Sequence, residues 1–94
     1  MVTVQSTLCA EDDRVRVTTL TFADGAETGH HRHTYDYVVV PITGGTFRVE
    51  EADGSTRDLT QVAGVPYQGP AGTEHNVVNT TGATASFVEI ELKR

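Results

Sequence analysis

Turn-forming residues interrupt this chain about every eight to twelve positions, and between them the apolar residues recur with period two. Neighbouring side chains on a strand point to opposite faces, so such a pattern builds half-buried strands and leaves no room for a long helix. The spacing is that of an all-β sandwich or barrel. Composition agrees: Val, Thr and Ile contribute 13, 15 and 2 of the 94 residues, and β-branched side chains suit a pleated surface better than a helix. Residues 1–94 are enough for one core and too few for two, so the chain reads as a single domain. At this size it buries roughly 60 to 70% of the surface its unfolded form exposes, which leaves little margin and makes self-association useful.

Val2 and Val4 suggest a first strand, ended by the polar turn at Glu11–Asp13. Val15 and Val17, then Leu20 and Phe22, suggest a second whose apolar face switches near Thr18–Thr19, as at a bulge. An apolar stretch from Tyr35 to Ile42 contains Pro41, which points to an edge or an irregularity. Thr46–Glu51 and Thr56–Thr60 flank Asp53–Gly54, a strong hairpin signal. Glycines and prolines crowd Gly64 to Gly72, before a short strand at His75–Val78. A last strand, Thr84–Leu92, is expected to turn Val88, Ile90 and Leu92 inward and Glu89 and Glu91 outward. No repeat or low-complexity linker is visible.

The formal net charge is −6, and the seven basic residues are scattered rather than grouped, which argues against nucleic acid and anionic lipid as partners. No apolar stretch approaches the roughly 18 residues of a membrane span, and the first residues carry no basic leader or apolar run. Cys9 is the only cysteine, so an internal disulfide is impossible, in keeping with a cytoplasmic protein. Without a basic neighbour or helix start nearby, Cys9 is expected to be a buried structural thiol.

All four histidines fall in two windows, Gly29-His30-His31-Arg32-His33 and Glu74-His75-Asn76. On a strand, His31 and His33 share a face while His30 and Arg32 look the other way. Two such imidazoles can share one ion. His75 is the histidine left to supply a third ligand, and the turn at Gly69-Pro70-Ala71-Gly72 fixes where its strand begins and so where it aims. Three protein ligands with open positions are what a catalytic metal site requires. An HxH pair by itself is a common surface feature, and spacing does not overturn that reading.

The two windows resemble the paired motifs of the cupin superfamily, G(X)5HXH(X)3-4E(X)6G and G(X)5PXG(X)2H(X)3N. Gly25 is followed by five residues and then His31-Arg32-His33, with Gly44 at the terminal glycine. Gly64, Pro70, Gly72, His75 and Asn79 match every fixed position of the second motif. The resemblance covers Gly25 to Asn79 and implies a small cupin β-barrel, a double-stranded β-helix of the jelly-roll type, with His31, His33 and His75 as metal ligands. One position departs: Tyr37 stands where the motif has Glu, with Asp36 one place earlier. On a regular strand Tyr37 shares the face of His33 and Asp36 does not, so a three-histidine site is expected, with Tyr37 beside it or weakly on the metal; only a bulge would turn Asp36 inward as a carboxylate ligand.

Three neutral imidazoles leave a divalent ion its full charge, which suits an anionic or enolate oxygen. Known three-histidine cupins include thiol and diketone dioxygenases, so the resemblance implies an Fe(II)-type dioxygenase acting on a small anionic or chelating molecule. With Zn, Ni or Mn the same geometry suits an isomerase or lyase, for which Tyr37 is a candidate acid or base, its phenol lowered by a nearby cation. A non-enzymatic ligand-binding or sensor cupin is the other class, and fold does not decide between them. For Tyr35 and Tyr37 the default is a core aromatic with a satisfied hydroxyl. Glu74, Arg32 and His30 are expected to face solvent, and Asn79 to cap a turn. The family also implies a homodimer, for which Val2, Val4 and Leu8 offer a pairing strand.

Overall fold

The computed structural model describes residues 2–93, which form strands and turns without a helix. Nine strands follow in order: β1 (Gln5–Glu11), β2 (Val15–Phe22), β3 (His31–Arg32), β4 (Asp36–Pro41), β5 (Gly45–Glu51), β6 (Thr56–Gln61), β7 (Tyr67–Gly69), β8 (Glu74–Val78) and β9 (Ala85–Leu92). They make two antiparallel sheets, β1-β2-β9-β4-β7 and β3-β8-β5-β6. The all-β expectation holds. No helix among the described residues is long and apolar enough to cross a membrane.

Period-two patterning sends alternate side chains of both sheets into the space between them. Phe22 and Phe47, both fully buried, meet edge to face at 5.5 Å between ring centroids, and Phe87 lies 5.4 Å from Phe22. Val39, Val49 and Val77 complete this end of the core. Edge-on aromatic packing adds about 0.5–1.5 kcal/mol per pair beyond the area buried. The opposite end of the barrel stays open, and the histidines sit there.

The hairpin at Asp53–Gly54 forms as expected between β5 and β6, with Asp53 Oδ1 accepting from the Ser55 amide at 2.9 Å. Pro41 closes β4 at its last position, where its lost N–H disturbs no ladder beyond it. Asn79 caps a turn: its Oδ1 accepts from the Thr81 amide at 2.9 Å, while its Nδ2 reaches three backbone carbonyls. Tyr67–Gly69 adds a short strand inside the Gly/Pro-rich segment that composition marks only as turn.

Four expectations are corrected. The first strand starts at Gln5; Thr3 makes only an isolated bridge to Glu27. The irregularity placed near Thr18–Thr19 lies across the ladder, between Leu8 and Ala10 of β1, while β2 keeps unbroken register with β9. Cys9, at that bulge on an edge strand, is exposed, its Sγ 3.1 Å from Thr19 Oγ1. Most consequentially, β9 is turned over: Glu89 and Glu91 line the interior cavity, and Val88, Ile90 and Leu92 face outward beside Val38 and Val40 of β4 and Val15 and Val17 of β2. Alternation fixes which residues share a face, and not which face is inside.

Candidate metal centre

Strand pairing assembles the site. His31 on β3 stands directly across from His75 on β8. His33 lies just past β3, and its backbone is tied to the turn before β8: its N–H donates to the Thr73 carbonyl and its carbonyl accepts from the Gly72 amide, both at 2.8 Å. Gly72 has φ +88°, a conformation L side chains resist, which lets the turn fold back against His33. The Gly69–Gly72 turn thus positions two of the three histidines.

Their ring nitrogens converge. His31 Nε2 lies 3.1 Å from His33 Nε2, which lies 3.2 Å from His75 Nε2, and the three residues' candidate donor atoms all fall within 4.8 Å of one another. Nitrogens about 2.1 Å from a common ion stand ~3.0 Å apart at right angles and ~3.4 Å apart in a tetrahedron. The two spacings to His33 fall between these and the third pair lies within 4.8 Å, so the donor set is placed to hold one divalent ion of borderline softness. His31 Nδ1–H donates to the Gly29 carbonyl at 2.9 Å, which fixes the ring with Nε2 toward the other two histidines. Burial pushes His33 and His75 down to about 4, helped by the charge of neighbouring His31, so both rings are neutral and able to ligate at ordinary pH. His30 is exposed, and Arg32 and Glu74 form an exposed pair at 3.8 Å, as the sequence implies.

Tyr37 is buried and stacks on His33, ring centroids 3.9 Å apart and planes 21° off parallel. It stands beside the three histidines, and burial raises its phenol above the ordinary value. Gly69 lies opposite Tyr37 in the ladder, and a β-carbon there would press into the phenol ring well inside van der Waals contact. Asp36 faces away, its Oδ1 accepting from the Ala71 amide at 2.8 Å, so no bulge turns it inward.

Two residues escape the sequence reading. Asn76, 2% exposed, accepts from the Gly29 amide at 2.9 Å and donates to Glu27 and Glu50 at 2.9 and 2.8 Å. It therefore holds the backbone whose carbonyl orients His31, an outer-shell arrangement of the kind that tunes metal ligands. A polar residue between His75 and the apolar Val77–Val78 was its signal. Glu89 approaches His33 Nδ1 at 3.9 Å, and burial, with nearby Glu91, raises its carboxyl to about 7. Because burial keeps His33 neutral, this approach is not an ion pair. The triad opens on a cavity of about 660 Å³ whose walls include Tyr37, Arg57, Tyr67 and Glu89.

No protein-family model matches the chain. Among solved structures it is similar to a cupin domain from Bordetella pertussis Tohama I, at 42% identity and TM-score 0.95, covering 99% of this chain and 96% of that one. A cupin superfamily protein from Desulfitobacterium hafniense shares the fold at TM-score 0.74 and 23% identity, covering 97% of this chain and 78% of the other. The chain belongs to the cupin superfamily. Among curated proteins it is 48% identical over 87 residues to the β-alanine degradation protein BauB of Pseudomonas aeruginosa, covering 93% of this chain and 90% of the relative.

Proposed function

We propose that this cupin binds one divalent transition metal through His31, His33 and His75 and acts on a small anionic or metal-chelating molecule, with Fe(II)-type dioxygenation as the favoured chemistry. The observation that carries the reading is the convergence of three imidazole nitrogens at 3.1 and 3.2 Å on an open cavity. A metal held there supplies a Lewis acid with positions free for a chelating oxygen and, as Fe(II), for dioxygen. Tyr37 contributes by fixing the His33 ring, on which it stacks. Glu89, titrating near neutrality beside the site, is the better-placed group to take or return a proton. The name of the Pseudomonas relative concerns breakdown of a short amino acid, which supports a small carboxylate as the molecule acted upon.

Elemental analysis of tag-free protein, with His31→Ala and His75→Ala alongside, tests the binding half; wild type retaining metal that both variants lose is the expected result. Oxygen uptake by the Fe(II)-reconstituted protein with diketones, thiols and hydroxy acids tests the chemical half. Metal bound without uptake favours the sensor; turnover of a hydroxy-carbonyl with Zn or Ni in place of iron favours the isomerase or lyase.

The homodimer is also proposed, on a different surface from the one the sequence suggests. Leu8 is 58% and Val2 56% exposed, but the denser apolar face is the outer side of β2, β9 and β4. There Val17, Ile90 and Val38 stand in one rung and Val88 and Val40 in the next. A contiguous aliphatic sheet face of this kind suits packing against a second copy.

A further inference from the structure

Resting on the reading of the three histidines as a metal centre, we propose that the molecule it takes is a short carboxylate whose carboxyl group is held by Arg57 while an oxygen at its other end meets the histidine site. Three arginines line the cavity. Arg16 is committed to Glu11 at 3.0 Å and Glu91 at 3.5 Å, and Arg32 is 65% exposed against Glu74. Arg57 differs. It is the member of the inward-facing set Arg57, Leu59 and Gln61 of β6 that lies toward the open end, with Gln61 buried at the closed one.

Strand register brings it to the histidines. Glu51 of β5 stands directly across from His75, and Val49, two residues earlier, stands across from Arg57. Two strand spacings, about 10 Å, and a two-residue step of about 7 Å along the strand separate His75 from Arg57, and the side chains of both reach into that space. What remains is a gap for a chain of a few atoms. Glu51 accepts a hydrogen bond from Arg57 Nε, which fixes the plane of the guanidinium. Its two terminal Nη groups make no hydrogen bond among the described residues, and the side chain lines the cavity. Their fork matches the two oxygens of a carboxylate, which a point charge such as lysine does not.

The Zn(II)-loaded protein, titrated by calorimetry with malonate and with its monoamide malonamate, tests this. Malonate offers one carboxylate to each end; malonamate has a neutral amide in place of one. Wild type is expected to prefer malonate by about tenfold or more. Arg57→Gln is expected to erase that preference with zinc content unchanged. A preference that survives in Arg57→Gln, or one absent from wild type, overturns the assignment of Arg57 while leaving the metal centre standing. Wild type that retains no zinc before titration overturns the metal centre itself, and this proposal with it. Should Arg57→Gln fail to fold, Arg57→Lys decides: weaker malonate binding at equal zinc content supports the fork, and undiminished binding contradicts it.

Discussion

At the position of the motif glutamate, Tyr37 lays its ring face against His33. Stacked on His33 and backed by Gly69, it limits how that imidazole can turn. Tyr37→Phe is therefore expected to keep metal affinity close to wild type, whereas Tyr37→Ala lowers it by roughly tenfold or more, the scale of outer-shell losses at metal sites; competitive chelator titration measures both. Equal affinities in the two variants would contradict a role for the ring. Gly69→Ala displaces the same phenol and should cost about 1–3 kcal/mol of stability, read from urea unfolding.

Protonation acts at the same scale. As pH falls through about 6.5 an unfolded chain protonates at His33 and His75, while the folded protein resists until about 4. Their contribution to stability is present above the first value and lost as pH falls through the second. Glu89 has the opposite sign: its folded carboxyl titrates near 7 against 4.5 unfolded, so its contribution is present below 4.5 and lost as pH rises through 7. Two histidines outweigh one carboxyl, so chelator-treated protein should gain stability from pH 4 to about 6.5 and then level off. Glu89→Gln should steepen that climb and leave the variant more stable at pH 8, by at most about 3 kcal/mol. A pH profile of unfolding midpoints identical to wild type would refute the assignment.

At the scale of elements, HxH sets a shared face and Gly72 sets the turn that brings His75 across from His31, but spacing of that kind was not enough, and the resemblance to the paired cupin motifs is what made the three-histidine site legible. The hairpin at Asp53–Gly54 and the Asn79 cap were legible because turn chemistry is local. The sense of β9 was not. Val88, Ile90 and Leu92 alternate with Glu89 and Glu91 whichever way the strand faces, and only pairing with β2 and β4 decides it. An apolar outer face and a cavity lined by carboxylates reverse the usual rule, and Glu89 stayed hidden behind it. Asn76 was hidden differently, since its partners Gly29, Glu27 and Glu50 come from distant segments. Asn76→Ala leaves those groups without it and is expected to cost about 1–3 kcal/mol and to loosen the loop bearing His31. Hydrogen exchange at the Gly29 amide, faster in the variant, is the corresponding readout.

For the whole molecule, two sheets closed over a phenylalanine core at one end leave the other end free for a site built by three short segments. The reversal of β9 links interior and exterior: the same alternation that places Glu89 near His33 presents Val88 and Ile90 for pairing. Ile90→Glu is expected to convert a dimer into monomer in sedimentation velocity at micromolar concentration without changing metal content; a wild type already monomeric there would contradict the pairing. The most direct test of the metal centre is anomalous diffraction, at the absorption edge of the bound metal, from crystals of tag-free metal-loaded protein. A single peak about 2.1 Å from the Nε2 atoms of His31, His33 and His75 is the predicted result. No peak in metal-replete protein, or a peak away from those three rings, would contradict it.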